Sequence, residues 1–308
     1  MYSYKPLEEK LKNLELKKSN LTSKIGISSR TIAKMAKGEK LANNVLVKIG
    51  GFLECNPKDL YIESYENHIL QILKEEKANK TKNGLYHEFQ IKMTYNSNHM
   101  GGCKLTEGQT RQIFETRSIR TGDLVSVDDI IETLNGFRAI DYLIDVALEP
   151  LSEEIIKHIH FILKQGTKES WIEGYPIGEY KKESNTARGN ETYAPSEVPD
   201  AMKNMISDYL NKDNKTIEDI ILLFAHFETI HPFQDTNGRV GKLITFKECL
   251  KNNVLPFIID DSKKEYYYKG LENWEVDKRW LIYTCLDAQD SFRELLNKLH
   301  IPETIDNN

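Results

Sequence analysis

One short segment, residues 231–242, concentrates side chains that together could handle a phosphate ester. It reads His-Pro-Phe-Gln-Asp-Thr-Asn-Gly-Arg-Val-Gly-Lys and follows a strongly apolar helical pattern over 217–227. His231 has an intrinsic pKa suited to a general base near neutrality. Asp235 offers a hard carboxylate oxygen, the kind of ligand that Mg²⁺ takes together with phosphates. The segment therefore supplies a candidate base and a candidate metal ligand.

The same segment also offers an anion site. Asn237 and Gly238 open the next predicted helix, whose free N–H groups and dipole attract a phosphate. Gly238 lets the backbone approach that phosphate closely, and Arg239 adds a planar fork for its oxygens. Taken singly, such residues are more often caps, turns or solvated charges. Their combination within twelve residues favours a phosphate-transfer site.

Helical patterns separated by polar loops fill the rest of the chain after residue 84, and strand signals are scarce. We therefore predict an all-α fold. The predicted helices lie at about 85–98, 106–117, 126–147, 151–164, 196–212, 215–230, 238–252, 262–274 and 277–298.

One connection, from Gly166 to Pro195, shows no sustained helical period. Long connections inside compact domains are often functional lids. Alternating side chains around Gly178 and a turn at Gly189-Asn190 predict a β-hairpin flap. The candidate docking residues in this flap are Tyr175, Ile177, Gly178 and Tyr180.

Composition bounds the class of protein. The 308 residues (35.7 kDa) suggest two or three domains, and no run of 18 apolar residues predicts a membrane span. The N-terminus lacks a signal-peptide pattern, and the four cysteines are far apart with no CxxC. These features favour a cytoplasmic protein without a disulfide framework or zinc site.

The net charge of −5 hides an asymmetry. Residues 1–62 carry a net charge of +6, and the remainder carries −11. A basic head on an acidic body predicts separate domains with separate partners, although Lys-rich helices can also be merely well solvated.

The basic head has the pattern of a helix-turn-helix. Leu7, Leu11 and Leu14 mark a first helix; a second covers 19–25, Gly26 turns the chain, and Ser28 caps a third that stops at Gly38. Further helices are predicted at about 43–53 and 57–62. In the third helix, Ile32, Met35 and Ala36 would face the core. The candidate DNA-binding residues are Ser29, Arg30, Thr31 and Lys34.

This head resembles the Cro/repressor-type helix-turn-helix family over nearly all of residues 4–62. The resemblance implies DNA binding, with a dimer on a repeated half-site as the default expectation. A helical protein-interaction module is the alternative.

Residues 231–242 resemble the Fic family signature, HPFx(D/E)GNGRxxR, and the resemblance extends over roughly 84–298. It implies a helical domain with a hairpin flap that moves AMP from Mg²⁺–ATP to a Ser, Thr or Tyr hydroxyl of a target protein. His231 would deprotonate that hydroxyl, Asp235 would hold Mg²⁺, and the flap would clamp the target as an added strand. The nucleotide-binding positions would be Asn237, Gly238, Arg239, Lys242, Tyr267 and Tyr268.

The chain departs from that signature at two positions. Thr236 replaces a glycine, which costs activity if the backbone φ there must be positive. Lys242 replaces the second arginine and provides a cation without bidentate geometry.

A third departure concerns an inhibitory motif that many family members carry, (S/T)xxxE(G/N). Ser97, Gly101 and Gly102 occupy its positions, with Gly101 standing where the glutamate is expected. The absence of that carboxylate predicts a de-repressed enzyme, whether the change is natural or engineered. Two alternatives stay open: a DNA-binding regulator that only senses nucleotide, and a Fic enzyme that transfers UMP or phosphate. Self-modification and an unidentified target protein are equally open.

These patterns predict four segments along the chain. Residues 1–62 form the helix-turn-helix domain and 63–125 a connector with the degenerate inhibitory helix. Residues 126–298 form the Fic catalytic domain, and 299–308 a tail. The polar run 74–84 within the connector is a predicted hinge.

Overall fold

The computed structural model describes residues 2–36, 39–63, 67–120, 122 and 124–303. The chain divides into two units, residues 1–66 and 67–308. Both are helical, which confirms the predicted all-α class. The described residues form fourteen α-helices and two short antiparallel strand pairs. None of the helices in these ranges is both long and apolar enough to cross a membrane.

The first unit is a small helical bundle with one strand pair. Its elements, in chain order, are β1 (Tyr2–Ser3), α1 (Lys5–Asn13), α2 (Lys18–Ile25), α3 (Ser29–Ala36), α4 (Asn43–Phe52), a 3₁₀ turn (Pro57–Leu60) and β2 (Ile62–Glu63). The predicted helix at 57–62 is wrong. Asn56 caps a single 3₁₀ turn, after which Ile62 pairs with Ser3 of β1.

The predicted helix-turn-helix geometry is present in α2 and α3. Gly26 has a φ of 65°, and the Ser28 hydroxyl accepts the Thr31 N–H at 3.1 Å. Met35 is buried as predicted, but Ala36, the last residue of α3, is exposed. The predicted helix end at Gly38 lies outside the described residues.

The second unit is a larger helical array. Its helices are α5 (His68–Asn79), α6 (Leu85–Met100), α7 (Glu107–Thr116), α8 (Val127–Asp145), α9 (Glu153–Lys164), α10 (Val198–Leu210), α11 (Ile217–Ile230), α12 (Asn237–Lys251), α13 (Lys264–Glu272) and α14 (Arg279–Lys298). From α6 onward, each lies at a predicted position. The predicted hinge at 74–84 is wrong in its first half, because residues 74–79 complete α5. Lys77 anchors that helix to α8 through Asp145 at 2.6 Å.

The core of this unit lies around α11 and α12, which pack against each other. α12 also packs against α6, α8 and α9, whereas α11 packs against α10 and α14. Phe224 and Phe227 of α11 are fully buried, and Phe246 of α12 stacks on Phe89 of α6 at 4.2 Å. Burying each such ring contributes about 2–3 kcal/mol. The two helices therefore hold the connection between them in a fixed position.

The flap hairpin exists but starts later than the alternating pattern indicates. Its strands are β3 (Thr186–Ala187) and β4 (Asn190–Glu191), joined by a two-residue turn. The predicted strand residues around Gly178 instead form irregular turns. The Gly178 N–H binds His160 Nδ1 at 2.9 Å, and the Tyr180 hydroxyl binds Glu153 at 2.7 Å. These two hydrogen bonds fix the segment to α9.

Candidate active site

The connection from α11 to α12 is fastened by its own side chains. α11 ends at His231, whose φ is 52° and whose N–H binds the Phe227 carbonyl at 2.9 Å. The Asn237 side chain accepts the Phe233 N–H and donates to the Phe233 carbonyl, both at 2.8 Å. The Phe233 ring is buried and stacks on His160 at 4.1 Å. The Asn237 side chain thus fixes the loop by hydrogen bonds to its backbone. The backbone N–H of Asn237 takes no part in these bonds.

A cavity of about 280 Å³ opens over this loop and gathers residues from α6, the hairpin, α11, α12 and α13. It brings together most of the predicted site residues. Those in its lining are Ser97, Gly101, His231, Asp235, Asn237, Gly238, Arg239, Lys242, Tyr267 and Tyr268. Gly102 and the predicted docking residues Tyr175, Ile177, Gly178 and Tyr180 are outside this lining.

His231 lies in the cavity wall as a neutral imidazole. Its Nδ1 is buried and has no hydrogen-bond partner among the described residues. Burial, together with the nearby cations Arg188 and Lys181, lowers the pKa of His231 to about 4. At neutral pH the ring is therefore unprotonated and able to accept a proton.

Asp235 is held by a buried lysine. One carboxylate oxygen accepts the Thr236 N–H at 2.6 Å, and the other accepts Lys164 Nζ at 3.1 Å. Lys164 also binds Glu169 at 2.9 Å and lies 3.8 Å from Glu132. Burial opposes ionisation of Asp235, but Lys164 and Arg239 keep its pKa below the ordinary value. Asp235 is thus an anion at neutral pH.

The side-chain ligands at this site suit a metal ion only if phosphate oxygens supply further ligands. No cluster of three or more His, Cys, Asp or Glu side chains that could hold a metal occurs in the described ranges. The Asp235 side chain is 51% exposed and faces the cavity. Mg²⁺ commonly takes one or two carboxylates and fills its other positions with water and phosphate oxygens. Asp235 fits that arrangement, whereas an all-protein magnesium site does not fit.

The Arg239 guanidinium is fixed in a buried ion pair. It binds both oxygens of Glu132 on α8, at 2.7 and 3.1 Å, and donates to Thr236 Oγ1 at 2.9 Å. Thr236 itself has a φ of 69°, the left-handed conformation that a threonine adopts at a cost. Thr236 thus has the positive φ at which replacing glycine with threonine is expected to cost activity.

Lys242 is buried behind Gly238. Its Nζ lies 4.9 Å from the centre of the Tyr267 ring. Burial lowers the pKa of Lys242 to about 8, although the carboxylate of Glu228 acts in the opposite direction. Glu228 is buried too and accepts Arg188 Nη1 at 3.2 Å.

Gly101, where the sequence resemblance leads one to expect an inhibitory glutamate, lies at the end of α6. Gly101 has a φ of −79°, so its backbone conformation does not require glycine. A Cβ on Gly101 would lie 3.2 Å from the Asn98 carbonyl and 3.9 Å from Arg239 Nε. A side chain at this position would therefore point at Arg239. The Ser97 hydroxyl is buried without a partner among the described residues, and Tyr268 donates to the Met100 carbonyl at 3.2 Å.

The sequence pattern did not indicate four charged residues at or beside the site: Glu132, Lys164, Arg188 and Glu228. Lys164 and Glu228 carried a usable signal, since each is a charged residue on an otherwise apolar helix face. Glu132 and Arg188 carried none, because their roles depend on contacts with distant segments.

Comparisons with known proteins agree with this geometry. Residues 150–248 match the model of the Fic/DOC family, and residues 7–62 match a Cro/C1-type HTH DNA-binding domain. Each of these two matches covers only part of the chain. Protein adenylyltransferase Fic of Drosophila willistoni is 28% identical over 182 residues, 58% of this chain and 35% of that protein. The Aedes aegypti protein of the same name is 24% identical over 195 residues, 60% and 37%. The chain thus spans about a third of the length of these relatives.

Solved Fic structures share the fold. A Fic domain containing signaling protein from Bacteroides thetaiotaomicron has a TM-score of 0.59 at 18% identity, covering 78% of this chain and all of that one. Fic-1 from C. elegans has a TM-score of 0.57 at 18% identity, covering 90% and 78%. A glutamate-to-glycine variant of Fic-1 has a TM-score of 0.56 at 18% identity, covering 94% and 97%. The Fic domain and the helix-turn-helix domain expected from the sequence are confirmed.

Proposed function

We propose that the Fic domain transfers AMP from ATP to a hydroxyl side chain of a target protein or of the chain itself. The observation that supports this most is the shared cavity: His231, the first turn of α12, Arg239 and Lys242 all face it. A base, an anion-binding helix end and two cations are the parts that nucleotidyl transfer to a hydroxyl needs.

His231 is the proposed base. Its neutral ring takes the proton of the acceptor hydroxyl, whose oxygen then forms a bond to the α-phosphorus of ATP. The bond between the α-phosphorus and the oxygen bridging to the β-phosphate breaks, and pyrophosphate leaves with that electron pair. General-base catalysis of this kind contributes about 10²–10⁴-fold.

The proposed phosphate site combines dipoles and cations. Asn237 and Gly238 form the start of α12 and line the cavity, so their N–H groups are the proposed anion-binding donors, while Arg239 and Lys242 supply positive charge. Asp235 is the residue that would hold a nucleotide-bound Mg²⁺, whose charge would offset that of the phosphates. Tyr267 and Tyr268 line the adjoining wall.

One labelling experiment tests the transfer. We expect protein incubated with Mg²⁺ and ATP labelled on the α-phosphate to carry covalent label, and His231→Ala to lose at least about 99% of it. Label obtained only from γ-labelled ATP would instead support a kinase, and label from α-labelled UTP would support UMP transfer. Nucleotide binding without any label would support a nucleotide sensor.

We further propose that the enzyme is de-repressed because position 101 is glycine. A glutamate there would extend toward Arg239 and put a negative charge where the outer phosphates of ATP are proposed to bind. We expect Gly101→Glu to reduce labelling at least about tenfold, the scale of one charged contact.

The matched control is Gly101→Gln, which has the same length and the same close approach to the Asn98 carbonyl but no charge. It should retain most of the labelling. If Gly101→Glu labels as fast as the unaltered protein, or if both variants lose activity equally, the gating proposal is wrong.

The first unit is proposed to bind DNA, as its match to a Cro/C1-type domain supports. Ser29 and Arg30 are exposed at the start of α3, with Thr31 and Lys34 half-buried beside them. Phosphate contacts make such binding steeply salt-dependent. We expect retention on double-stranded DNA that falls with salt and weakens in Arg30→Ala but not in Lys10→Ala, a change on α1. Sedimentation with DNA would test the proposed dimer.

A further inference from the structure

We propose that Arg188, in the turn of the β3–β4 hairpin, is a second phosphate-binding arginine of the nucleotide site, and that Glu228 holds it in place until nucleotide enters. This inference rests on the proposed nucleotide-binding function of the cavity. It assigns to the hairpin turn a role toward the nucleotide rather than toward the target protein.

The backbone at Arg188 is the first observation. The turn places Arg188 and Gly189 between the paired residues Ala187 and Asn190, with φ values of 53° and 81°. A two-residue hairpin turn with positive φ at both positions favours Asn-Gly or Gly-Gly. An arginine at the first position costs free energy, and strained residues of this kind cluster at functional sites.

The direction of the side chain is the second observation. Arg188 turns back into the cavity rather than outward, and its side chain is only 20% exposed. It lines the wall together with His231, Gly238 and Lys242. It is also close enough to His231 to contribute to the lowered pKa of that ring.

The partner of Arg188 is the third observation. Glu228 lies one helical turn before His231, and its side chain is 3% exposed. Oε2 accepts Arg188 Nη1 at 3.2 Å, while Oε1 is buried without a hydrogen-bond partner among the described residues. That free oxygen lies 3.6 Å from where a Cβ on Gly238 would be. The carboxylate thus faces the proposed anion site.

These contacts suggest an exchange of partners. The single hydrogen bond to Glu228 uses one nitrogen of a guanidinium that can bind a phosphate through two. An entering phosphate group would compete with Glu228 for Arg188. Arg188 would then supply the planar fork that Lys242, as a point charge, cannot provide.

Calorimetric titration of the whole protein with ATP and with AMP, both with Mg²⁺, tests the proposal. We expect Arg188→Ala to raise the Kd for ATP by about 10- to 100-fold and to change that for AMP by less than about threefold, because AMP lacks the outer phosphates. Arg188→Lys should fall between. Lys182→Ala, on the same loop but outside the cavity lining, is the matched control and should leave both Kd values unchanged.

Glu228 supplies the second arm. Glu228→Gln should lower the Kd for ATP several-fold, because Arg188 would no longer have to leave a charged partner. Since Arg188→Ala leaves a buried carboxylate unpaired, the double variant Arg188→Ala/Glu228→Gln guards against misfolding and should still show the loss of ATP-over-AMP preference. An unchanged preference in the double variant overturns the proposal, as does a wild-type protein that binds ATP no better than AMP.

The readout separates this inference from the proposed transfer. If ATP binds with the expected dependence on Arg188 but no AMP is transferred, the transferase proposal fails and the role of Arg188 stands. If AMP is transferred but substituting Arg188 does not change the preference for ATP over AMP, the proposed role of Arg188 is wrong and the transferase proposal stands.

Discussion

Two buried lysines, Lys164 and Lys242, lie near the connection between α11 and α12, and their surroundings differ. Lys164 lies among three carboxylates: Glu169 at 2.9 Å, Asp235 at 3.1 Å and Glu132 at 3.8 Å. Burial would lower the pKa of Lys164, but these anions hold it above the ordinary value. Its charge is therefore fully balanced inside the protein.

Lys242 has less to balance it. The acidic side chain with the strongest effect on it is Glu228, which also pairs with Arg188, while Arg239 is a nearby like charge. Burial therefore prevails and lowers the pKa of Lys242 to about 8. Burial alone therefore does not make a lysine structural. A balanced lysine stabilises the fold, whereas an under-balanced one retains attraction for an arriving anion.

Replacing Lys164 with methionine should have the largest effect. It would leave Asp235, Glu169 and Glu132 without their shared cation, and we expect the free energy of unfolding to fall by about 3 kcal/mol or more. Urea unfolding followed by tryptophan fluorescence measures this in the second unit, since all three tryptophans lie there. Lys157→Met, on the same helix and half-buried beside Glu179, is the control and should cost about 1 kcal/mol or less. Equal losses in the two variants would contradict the comparison.

Replacing Lys242 with methionine should give the opposite pattern. Methionine has a similar length and removes an under-balanced buried charge, so the free energy of unfolding should change by about 1 kcal/mol or less. The Kd for ATP should rise about tenfold or more, because a charge-assisted contact to phosphate is lost. Calorimetry with ATP measures this. A loss of stability comparable to that of Lys164→Met would show that both lysines are structural.

The lowered pKa of Lys242 also predicts that the affinity for ATP depends on pH. Below about pH 8 Lys242 carries its proton and attracts phosphate; above it the ammonium becomes neutral, so ATP affinity should weaken as the pH rises from 7 to 9. A several-fold rise in the Kd for ATP over this range is expected. Lys242→Arg keeps its charge and should flatten the profile. The same alkaline weakening in the arginine variant would place the titrating group elsewhere.

What the sequence could predict depends on how far apart along the chain the interacting residues lie. Helical periodicity is local, and it located every helix from α6 to α14. The segment from His231 to Lys242 was equally readable because its residues are consecutive. The Arg239–Glu132 pair spans 107 positions and the Lys164–Asp235 pair spans 71, and nothing in the local pattern encodes such pairings.

The misplaced flap strand has a similar cause. Alternating side chains around Gly178 imitate a strand, but His160 and Glu153 on α9 bind that segment and decide its course. The positive φ of Thr236 could not be predicted for a different reason. Residue type gives only a preference for φ, and at Thr236 the packing of α12 against α11 overrides it.

Thr236 contacts Asp235 through its N–H and Arg239 through its hydroxyl. Relieving the backbone strain at Thr236 should have the smallest effect on the free energy of unfolding. A β-branched residue at φ 69° costs about 1–2 kcal/mol, of which glycine would return part because it also loses more chain entropy on folding. We expect Thr236→Gly to raise the free energy of unfolding by about 0.5–1 kcal/mol in the same urea assay. Thr236→Ala is the matched control: it keeps the strained Cβ but loses the γ-methyl group and the hydroxyl that accepts from Arg239. Its stability should fall. If alanine stabilises as much as glycine, backbone strain is not the cause; if glycine destabilises, the hydroxyl contact to Arg239 outweighs the strain.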